Sequence, residues 1–568
     1  MAHLPPTTTD LSPVIAGQLQ TEFVSFSTRA GLRVAACLDH AGGSTRSRTW
    51  VIVTPKYGET KKNSLQLAYQ LAANGANVLR FDHTNHVGES EGRMVDFTLP
   101  GAVGDILAAL DYLTESFGVR SVVAVANSLS ARCLLRAAVL DPRITRLISV
   151  AGVVNLQATL REVYREDIFG TFLEGRHWGL TDIIGFDING ETFLGTAVAE
   201  RLHDLAGTLE DMGRLRVPFL QFQGEQDAWV DRREVEQVLA MNPLARLVPV
   251  AGAMHEVQEN PAAAAAVFQQ VTRACLLDSD PPDGTDRPLV APAKKLVLAQ
   301  NRRERERLRR SEALPEAETT FWSSYLEKYS ILEKSADYRT YLDLLGQLCG
   351  PFRPGALVLD AGCGNGMFVR WVLRDLARRQ AVLAGAAPLT CVALDLTPSG
   401  LADAMAHHLG ARPGADPAAP GLQYSVMDFD GLADDGAAAQ HLPFRDDTFD
   451  VICCSLVLSY LRRPPVLLAE LRRVLRPGGV IVVSSIKPHS DLSVIYRDFM
   501  AQQVDGEDLD AARNLLRAAG KIKLKEEIGH YTFYSPAQLA TLLMDAEFKV
   551  RRSQVSLGQQ AVVIQAGK

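Results

Sequence analysis

Hydrophobic positions along the chain fall into two separate alternating series. From about residue 20 to residue 275, the runs TWVIVTP, ANVLRFD, SVVAVAN, RLISVAG, VPFLQFQG and ARLVPVAG read as strands. SLQLAYQLAANG and GAVGDILAALDYLTESFG read as amphipathic helices closed by Gly75 and Gly118. Strands alternating with helices predict a parallel sheet covered on both faces. The pattern is irregular between Leu156 and about Leu215, which predicts an inserted cap near 156–215. A second series begins near Gly355. GALVLDAGCGNGMFVRWVLRDLA reads as strand, glycine loop and helix, and LTCVALDLT, FDVICCSLVL and RPGGVIVVSSI as further strands.

The two series are joined by DSDPPDGTDRPLVAPAKK (Asp278–Lys295), whose Pro, Asp and Gly content reads as a linker. LVLAQNRRERERLRRSEA follows as a charged helix. Its interleaved glutamates predict a solvated connector rather than a nucleic-acid face. The expectation is an α/β chain of two domains, over 15–277 and 321–568, with linker and charged helix over 278–320. The glycine patterns of the halves differ, so a duplication is not expected.

Length and charge support this division. The 568 residues exceed one ordinary hydrophobic core. A net charge of −7 argues against nucleic acid as the main partner. The eight cysteines are scattered and form neither a CxxC nor a zinc spacing, so no metal is expected and a reducing cytoplasm suits them. MAHLPPTTTDLSPV has no basic and apolar signal regions, and no apolar run approaches eighteen residues, so neither a signal peptide nor a membrane span is expected.

The first series carries a nucleophile, an orienter and a base in the order Ser, Asp, His. Ser128 follows VVAVAN, Asp227 follows FLQFQG, and His255 follows RLVPVAG. Each stands just after a strand end, where a doubly wound sheet builds its site. Singly, such residues are caps, turn formers or structural histidines. Together and in order they point to a serine triad. The usual elbow glycines are replaced by Ala126 and Ser130, both small enough for close packing around a strained turn. The oxyanion hole would use the backbone N–H groups of Leu129 and Tyr57. On ANSLSAR, VLRFDHTNHVGESEG, VAGVVNLQATL, QDAWV and MHEVQEN, this half resembles the acyltransferases of bacterial bioluminescence operons, which are myristoyl-ACP thioesterases. The resemblance implies an α/β-hydrolase fold, the triad Ser128, Asp227 and His255, and a long-chain acyl thioester of acyl carrier protein or coenzyme A as substrate. Lys56, in KYGETKK, stands where that family tends to carry glycine, which leaves acceptor and chain length open.

The second series carries VLDAGCGNG, with Asp360 inside the motif, and a further acid, Asp395, at the end of the next strand. A glycine loop alone fits several nucleotide folds. With SVMDFD, FDVICCSLVLSYL and LRRVLRPGGVIVVSS in order, residues 321–568 resemble class I S-adenosylmethionine-dependent methyltransferases. The resemblance implies S-adenosylmethionine as cofactor on a Rossmann-like sheet. It places Gly362, Gly364 and Gly366 at the methionine part, Asp395 at the ribose diol, and Asp428 with Phe429 at adenine, with Asp360, inside the motif, counted among the cofactor-binding residues. RRQAVLAGAAPLT and GLADDGAAAQ are extra length, read as surface loops. Tyr325, Tyr329 and Tyr338 either close over the cofactor or pack between helices, with packing the favoured reading, and Tyr460 is a candidate for the acceptor pocket. A fused thioesterase and methyltransferase suggests release of a fatty acid and esterification of its carboxylate as the small-molecule acceptor. The alternatives are methylation of a hydroxyl or carbon on a carrier-bound chain before release, and a hydrolase half that only docks an acyl carrier.

Overall fold

A computed structural model of the chain describes residues 19–42, 49–276, 288–311, 318–327, 329–353, 355–380, 389–411, 421–432, 441–490 and 506–568. Most of the linker read at Asp278–Lys295, most of GLADDGAAAQ and much of RRQAVLAGAAPLT lie outside the described residues. The chain divides into two compact units after residue 312.

The first unit is built on strands β1 (Leu19–Ser27), β2 (Arg33–Ala41), β3 (Trp50–Val53), β4 (Asn77–Phe81), β5 (Val122–Asn127), β6 (Ile144–Val150), β7 (Leu180–Ile183), β8 (Phe186–Asn189), β9 (Phe219–Gly224) and β10 (Ala245–Val250). Eight of them form one sheet in the order β1-β2-β4-β3-β5-β6-β9-β10. β2 runs antiparallel to β1 and β4, and the remaining pairs are parallel. This is the expected α/β-hydrolase sheet. The central strands WVIV and NVLRF are buried at every position, as strands covered on both faces must be. The helix Leu99–Phe117 shows how local chemistry sets the boundaries. Thr98 Oγ1 accepts the Gly101 N–H at its start, and Gly118 ends it with φ +68°. Between β6 and β9 lie helices Leu156–Tyr164, Ile168–Leu173, Gly190–Ala199 and Leu205–Arg214, with the β7–β8 hairpin among them.

The charged helix, Lys294–Ser311, is not the solvated connector that its composition suggests. Glu304 and Leu308 are only 2% and 1% exposed and pack into the first unit. Its charges divide by face. Glu306 pairs with Arg310 in solvent, whereas Glu304 is drawn inward by Arg80 of β4.

The second unit carries β11 (Leu357–Ala361), β12 (Thr390–Asp395), β13 (Leu422–Val426), β14 (Phe449–Cys454), β15 (Leu475–Ile486), β16 (Lys549–Ser556) and β17 (Ala561–Gly567). Their order is β13-β12-β11-β14-β15-β17-β16, with β17 antiparallel to both neighbours. The five parallel strands place the C-terminal ends of β11, β12 and β14 side by side, and the glycine loop leaves β11 there.

Candidate active sites

In the first unit, β5 ends at Asn127 and the helix Leu129–Leu140 begins two residues later. Ser128, between them, has φ +52° and ψ −127°, a backbone conformation costly for a residue with a side chain. The fold holds it from both sides, because its N–H donates to Val150 O at 3.0 Å and its carbonyl accepts from Val153 and Ala131. The side chain is thereby thrust beyond the sheet toward the loop after β10.

His255 Nε2 lies 2.8 Å from Ser128 Oγ, and His255 Nδ1 lies 3.0 Å from Asp227 Oδ2. Asp227 Oδ1 also accepts the Trp229 and Val230 N–H groups at 2.9 and 3.3 Å. Burial alone would raise the Asp227 carboxyl, but His255 and those two N–H groups outweigh it and hold the group below the usual carboxylate range. The Trp229 ring stacks on His255 at 4.9 Å, which fixes the imidazole plane. Serine, base and orienter form one connected line, and all three side chains are nearly excluded from solvent.

Leu129 opens the helix, so its N–H has no partner within the helix. Tyr57 is in the loop after β3, its ring buried against His86, Phe97 and Phe186 and its hydroxyl donating to Ile183 O at 2.9 Å. Composition gave no notice of how firmly that loop is fastened. Ser130 Oγ donates to Pro55 O at 2.5 Å, so the residue read as a small substitute for glycine also ties the elbow helix to the loop. Lys56 Nζ pairs with Glu256 Oε2 at 2.6 Å, beside His255. The Gly58 N–H donates to His86 Nε2 at 3.0 Å. Burial followed by the nearby His83 pushes the His86 imidazole down to about 3, so it remains neutral and able to accept that bond.

In the second unit a cavity of about 570 Å³ lies over the C-terminal ends of β11, β12 and β14. Asp360, Gly362, Gly364, Asp395, Asp428 and Phe429 all line it, and Gly366 opens the following helix beside them. The three glycines have φ of +85°, +54° and +80°. A Cβ at Gly362 would stand 2.1 Å from Val457, and one at Gly366 would stand 2.8 Å from Ala404, so the loop's close approach requires their absence.

The two acids differ. Asp395 is tied into the loop. Its Oδ2 accepts the Gly364 N–H at 2.7 Å, and Oδ1 accepts the Thr397 N–H and hydroxyl at 2.9 and 2.7 Å. Three of its roughly four acceptor sites are used, which leaves room for one further donor where a diol grip would take two. Asp360 is 1% exposed, and neither of its oxygens has a partner among the described residues. Burial, then the neighbouring Asp395, pushes its carboxyl up to about 8. An orphaned buried acid facing a cavity fits a ligand that brings a positive charge. Asp428 accepts the Asp430 N–H, so it is a turn former and a cavity wall together.

The aromatic segment packs as the favoured reading expected, and it also walls the cavity. Trp322, Tyr325, Tyr329 and Tyr338 pack on one another and also line the cavity, and the Tyr460 ring lies tilted against Trp322 at 4.6 Å. Glu318, on the same wall, accepts from Lys525, His530, Tyr531 and Trp322. Burial would raise it, but those hydrogen bonds hold it down at about 2.

Comparison with known proteins agrees with both resemblances. Residues 29–306 match the acyl transferase family, and residues 333–553 match a methyltransferase domain family. The acyl transferase of Photobacterium phosphoreum is 28% identical over 233 residues, covering 40% of this chain and 76% of the relative. That of Photobacterium leiognathi is 28% identical over 275 residues, covering 45% and 89%. Among solved structures, Est1E from Butyrivibrio proteoclasticus, bound to ferulic acid, aligns at 19% identity over 44% of this chain and 96% of its own, with a TM-score of 0.36. An esterase domain from Rhodothermus marinus aligns at 20% identity over 45% and 97%, with a TM-score of 0.34. The chain carries an acyl transferase domain followed by a methyltransferase domain. No helix among the described residues is long and apolar enough to cross a membrane.

Proposed function

We propose that the protein hydrolyses a long-chain acyl thioester, carried on acyl carrier protein or coenzyme A, and then methylates the carboxylate it releases. In the first step His255 Nε2 takes the Ser128 proton as Oγ attacks the thioester carbonyl. The developing oxyanion is met by the Leu129 and Tyr57 N–H groups. The C–S bond breaks, the thiol leaves with the proton held on His255, and the acyl group remains on Ser128. Water, deprotonated by His255, then frees the acid and restores the serine. Asp227 keeps the imidazole in the tautomer this needs.

The choice of a carboxylate as methyl acceptor rests on the cavity lining. Among the described residues that line it there is no histidine or lysine, Glu318 is too weak a base, and Asp360, raised to about 8, is taken up by the donor's amine in this reading. The phenols of Tyr325 and Tyr460 are pushed up by burial and stay protonated. An alcohol would need a base to become nucleophilic. A fatty-acid carboxylate arrives already anionic and needs only alignment and exclusion of water. The methyl donor we infer is S-adenosylmethionine, which supplies an electrophilic methyl on a sulfonium. Asp360 would hold its cationic amine, the loop of Gly362, Gly364 and Gly366 its methionine part, Asp395 a ribose hydroxyl, and Asp428 with Phe429 its adenine. The aromatic wall of Trp322, Tyr325 and Tyr460 would keep water from the acceptor.

The test is to supply a panel of acyl carrier proteins with and without S-adenosylmethionine and to read products by mass spectrometry. Free acid without the donor and methyl ester with it are expected. Ser128→Ala should lower both by roughly 10⁴-fold or more while still methylating added free acid. Methyl groups found on carrier-bound chains before release, or no methylation of any acid, would overturn the carboxylate reading.

A further inference from the structure

The helix Lys294–Ser311 follows the hydrolase sheet in sequence, and bridging side chains link its inner face to Lys61, just past the loop that carries Tyr57. The link is Arg80, on β4, which is wholly buried. A guanidinium has five N–H donors, and here each has an acceptor. Nε and Nη2 donate to Asp39 at 2.6 and 3.2 Å. Nη1 and Nη2 donate to the two oxygens of Glu304, both at 2.6 Å. The remaining Nη1 hydrogen goes to the carbonyl of Lys61 at 2.9 Å. Lys61 lies four residues beyond Tyr57, where the loop turns into the helical segment Lys61–Ser64.

A second line runs parallel to the first. Arg307, one turn past Glu304, pairs with Glu89 at 2.9 Å. Glu89 pairs with Lys61 Nζ at 2.7 Å, and Lys61 Nζ also meets Asp82 at 2.5 Å. The Lys61 N–H donates to Asp82 Oδ1 at 2.6 Å. Backbone N–H, backbone carbonyl and ammonium of Lys61 are thus all held, and two of the three lines lead to the helix.

We propose that Glu304, acting through Arg80, is a positioning residue for acyl transfer: the helix after the sheet braces the loop whose Tyr57 N–H completes the oxyanion hole. The inference rests on the reading of Ser128 as nucleophile. Bidentate pairing fixes the guanidinium in plane as well as in position, so the hydrogen bond to the Lys61 carbonyl inherits a fixed direction. Without the Glu304 carboxylate, the outer edge of Arg80 is held only by the longer Nη2 bond to Asp39, and the hydrogen bond to the Lys61 carbonyl loses one of the two pairings that aim it. A donor displaced by about an ångström forfeits much of its effect on a developing oxyanion.

The experiment uses the full chain, and the second unit serves as its internal control. Glu304→Gln preserves side-chain volume and one acceptor oxygen. We expect the rate of Ser128 labelling by a fluorophosphonate, which draws on the oxyanion hole, to fall roughly tenfold or more. kcat for thioester hydrolysis should fall in parallel with KM within about twofold. Methylation of added free acid should be unchanged, Glu304→Asp should recover part of the rate, and Glu306→Gln on the exposed face should match the parent. Should Glu304→Gln fold poorly, Glu304→Asp decides by the same two readouts. Wild-type labelling with only a lowered melting temperature, or a rise in KM alone, would overturn the proposal. Failure of Ser128 to label in the parent would remove the nucleophile reading and the brace with it. Labelling without thioester turnover would strike the substrate reading alone, and the labelling ratio would still decide the brace.

Discussion

Asp227 and Asp360 are both aspartates near the C-terminal end of a parallel strand, and burial is nearly complete for each. Their carboxyls nevertheless move in opposite directions, Asp227 below its ordinary range and Asp360 up to about 8. The difference lies in partners. Asp227 meets an imidazole and two backbone N–H groups, all supplied by the chain. Asp360 has the carboxylate of Asp395 for a neighbour and no donor among the described residues. The first site is complete as folded, its polar groups spent on one another. The second is arranged around something that must be added. A folded protein tolerates an orphaned buried acid at the cost of stability, so its presence in a cavity wall is a sign of binding.

The largest expected effect comes from making Asp227 like Asp360, without its charge interaction. Asp227→Asn keeps the shape and the bonds to Trp229 and Val230 but presents the wrong group to His255 Nδ1. Thioester hydrolysis should fall by about 10³–10⁴-fold. Methylation of free acid should not change. The lowered native value also predicts a pH dependence. The stability that Asp227 contributes is complete above its unfolded value of about 4 and is lost as pH falls through the native one. A hydrolysis loss below tenfold would mean that Asp227 does not orient the base.

The converse substitution, Asp360→Asn, should do the opposite to stability. The native value of about 8 lies above the unfolded one, so the acid stays protonated in the folded chain while the unfolded chain ionises. Stability without ligand is fullest below about pH 4 and declines as pH rises toward 8, with a slope of up to about 1.4 kcal/mol per unit. Asp360→Asn should flatten that decline for the second unit in thermal melts. It should also weaken S-adenosylmethionine binding by roughly 10–100-fold in calorimetry, because Asp360 gives up its proton as the cationic amine arrives and asparagine cannot supply that counter-charge. A decline that persists in Asp360→Asn would show that another group titrates there.

Much of this was legible in the sequence because both sites sit on strand–turn–helix units whose turn residues are chemically distinctive. Ser128, Asp227 and His255 announce themselves by order and by strand-end position, and the glycine loop by spacing. What escaped was pairing across distance. Arg80 inside a strand and Glu304 inside a charged helix are each ordinary, and their sequence separation hides the ion pair that buries both. β1 went unread because LQTEFVSFS is a half-exposed edge strand with weak alternation. Asp395 was found, but the two groups that occupy it, the Gly364 N–H and Thr397, are visible only once the loop is folded.

The smallest effect sharpens the comparison inside the first site, at Ser130, which replaces an elbow glycine. If its role were only to be small, alanine would serve equally well, since alanine favours a helix and fits the same space. The bond from its hydroxyl to the buried Pro55 carbonyl says otherwise. Ser130→Ala should cost about 1–2 kcal/mol, as expected when a buried acceptor loses its donor. That is a fall of about 1.5–2 °C in melting temperature per kcal/mol for a unit of this size. Thioester kcat should drop less than tenfold, because the loop keeps its ties through His86 and Arg80. Ser130→Gly should cost more than Ser130→Ala by up to about 1 kcal/mol, the penalty of glycine within a helix. Equal stability in the parent and Ser130→Ala would reduce Ser130 to a space-filler and return the elbow to the simple rule of small residues around the nucleophile.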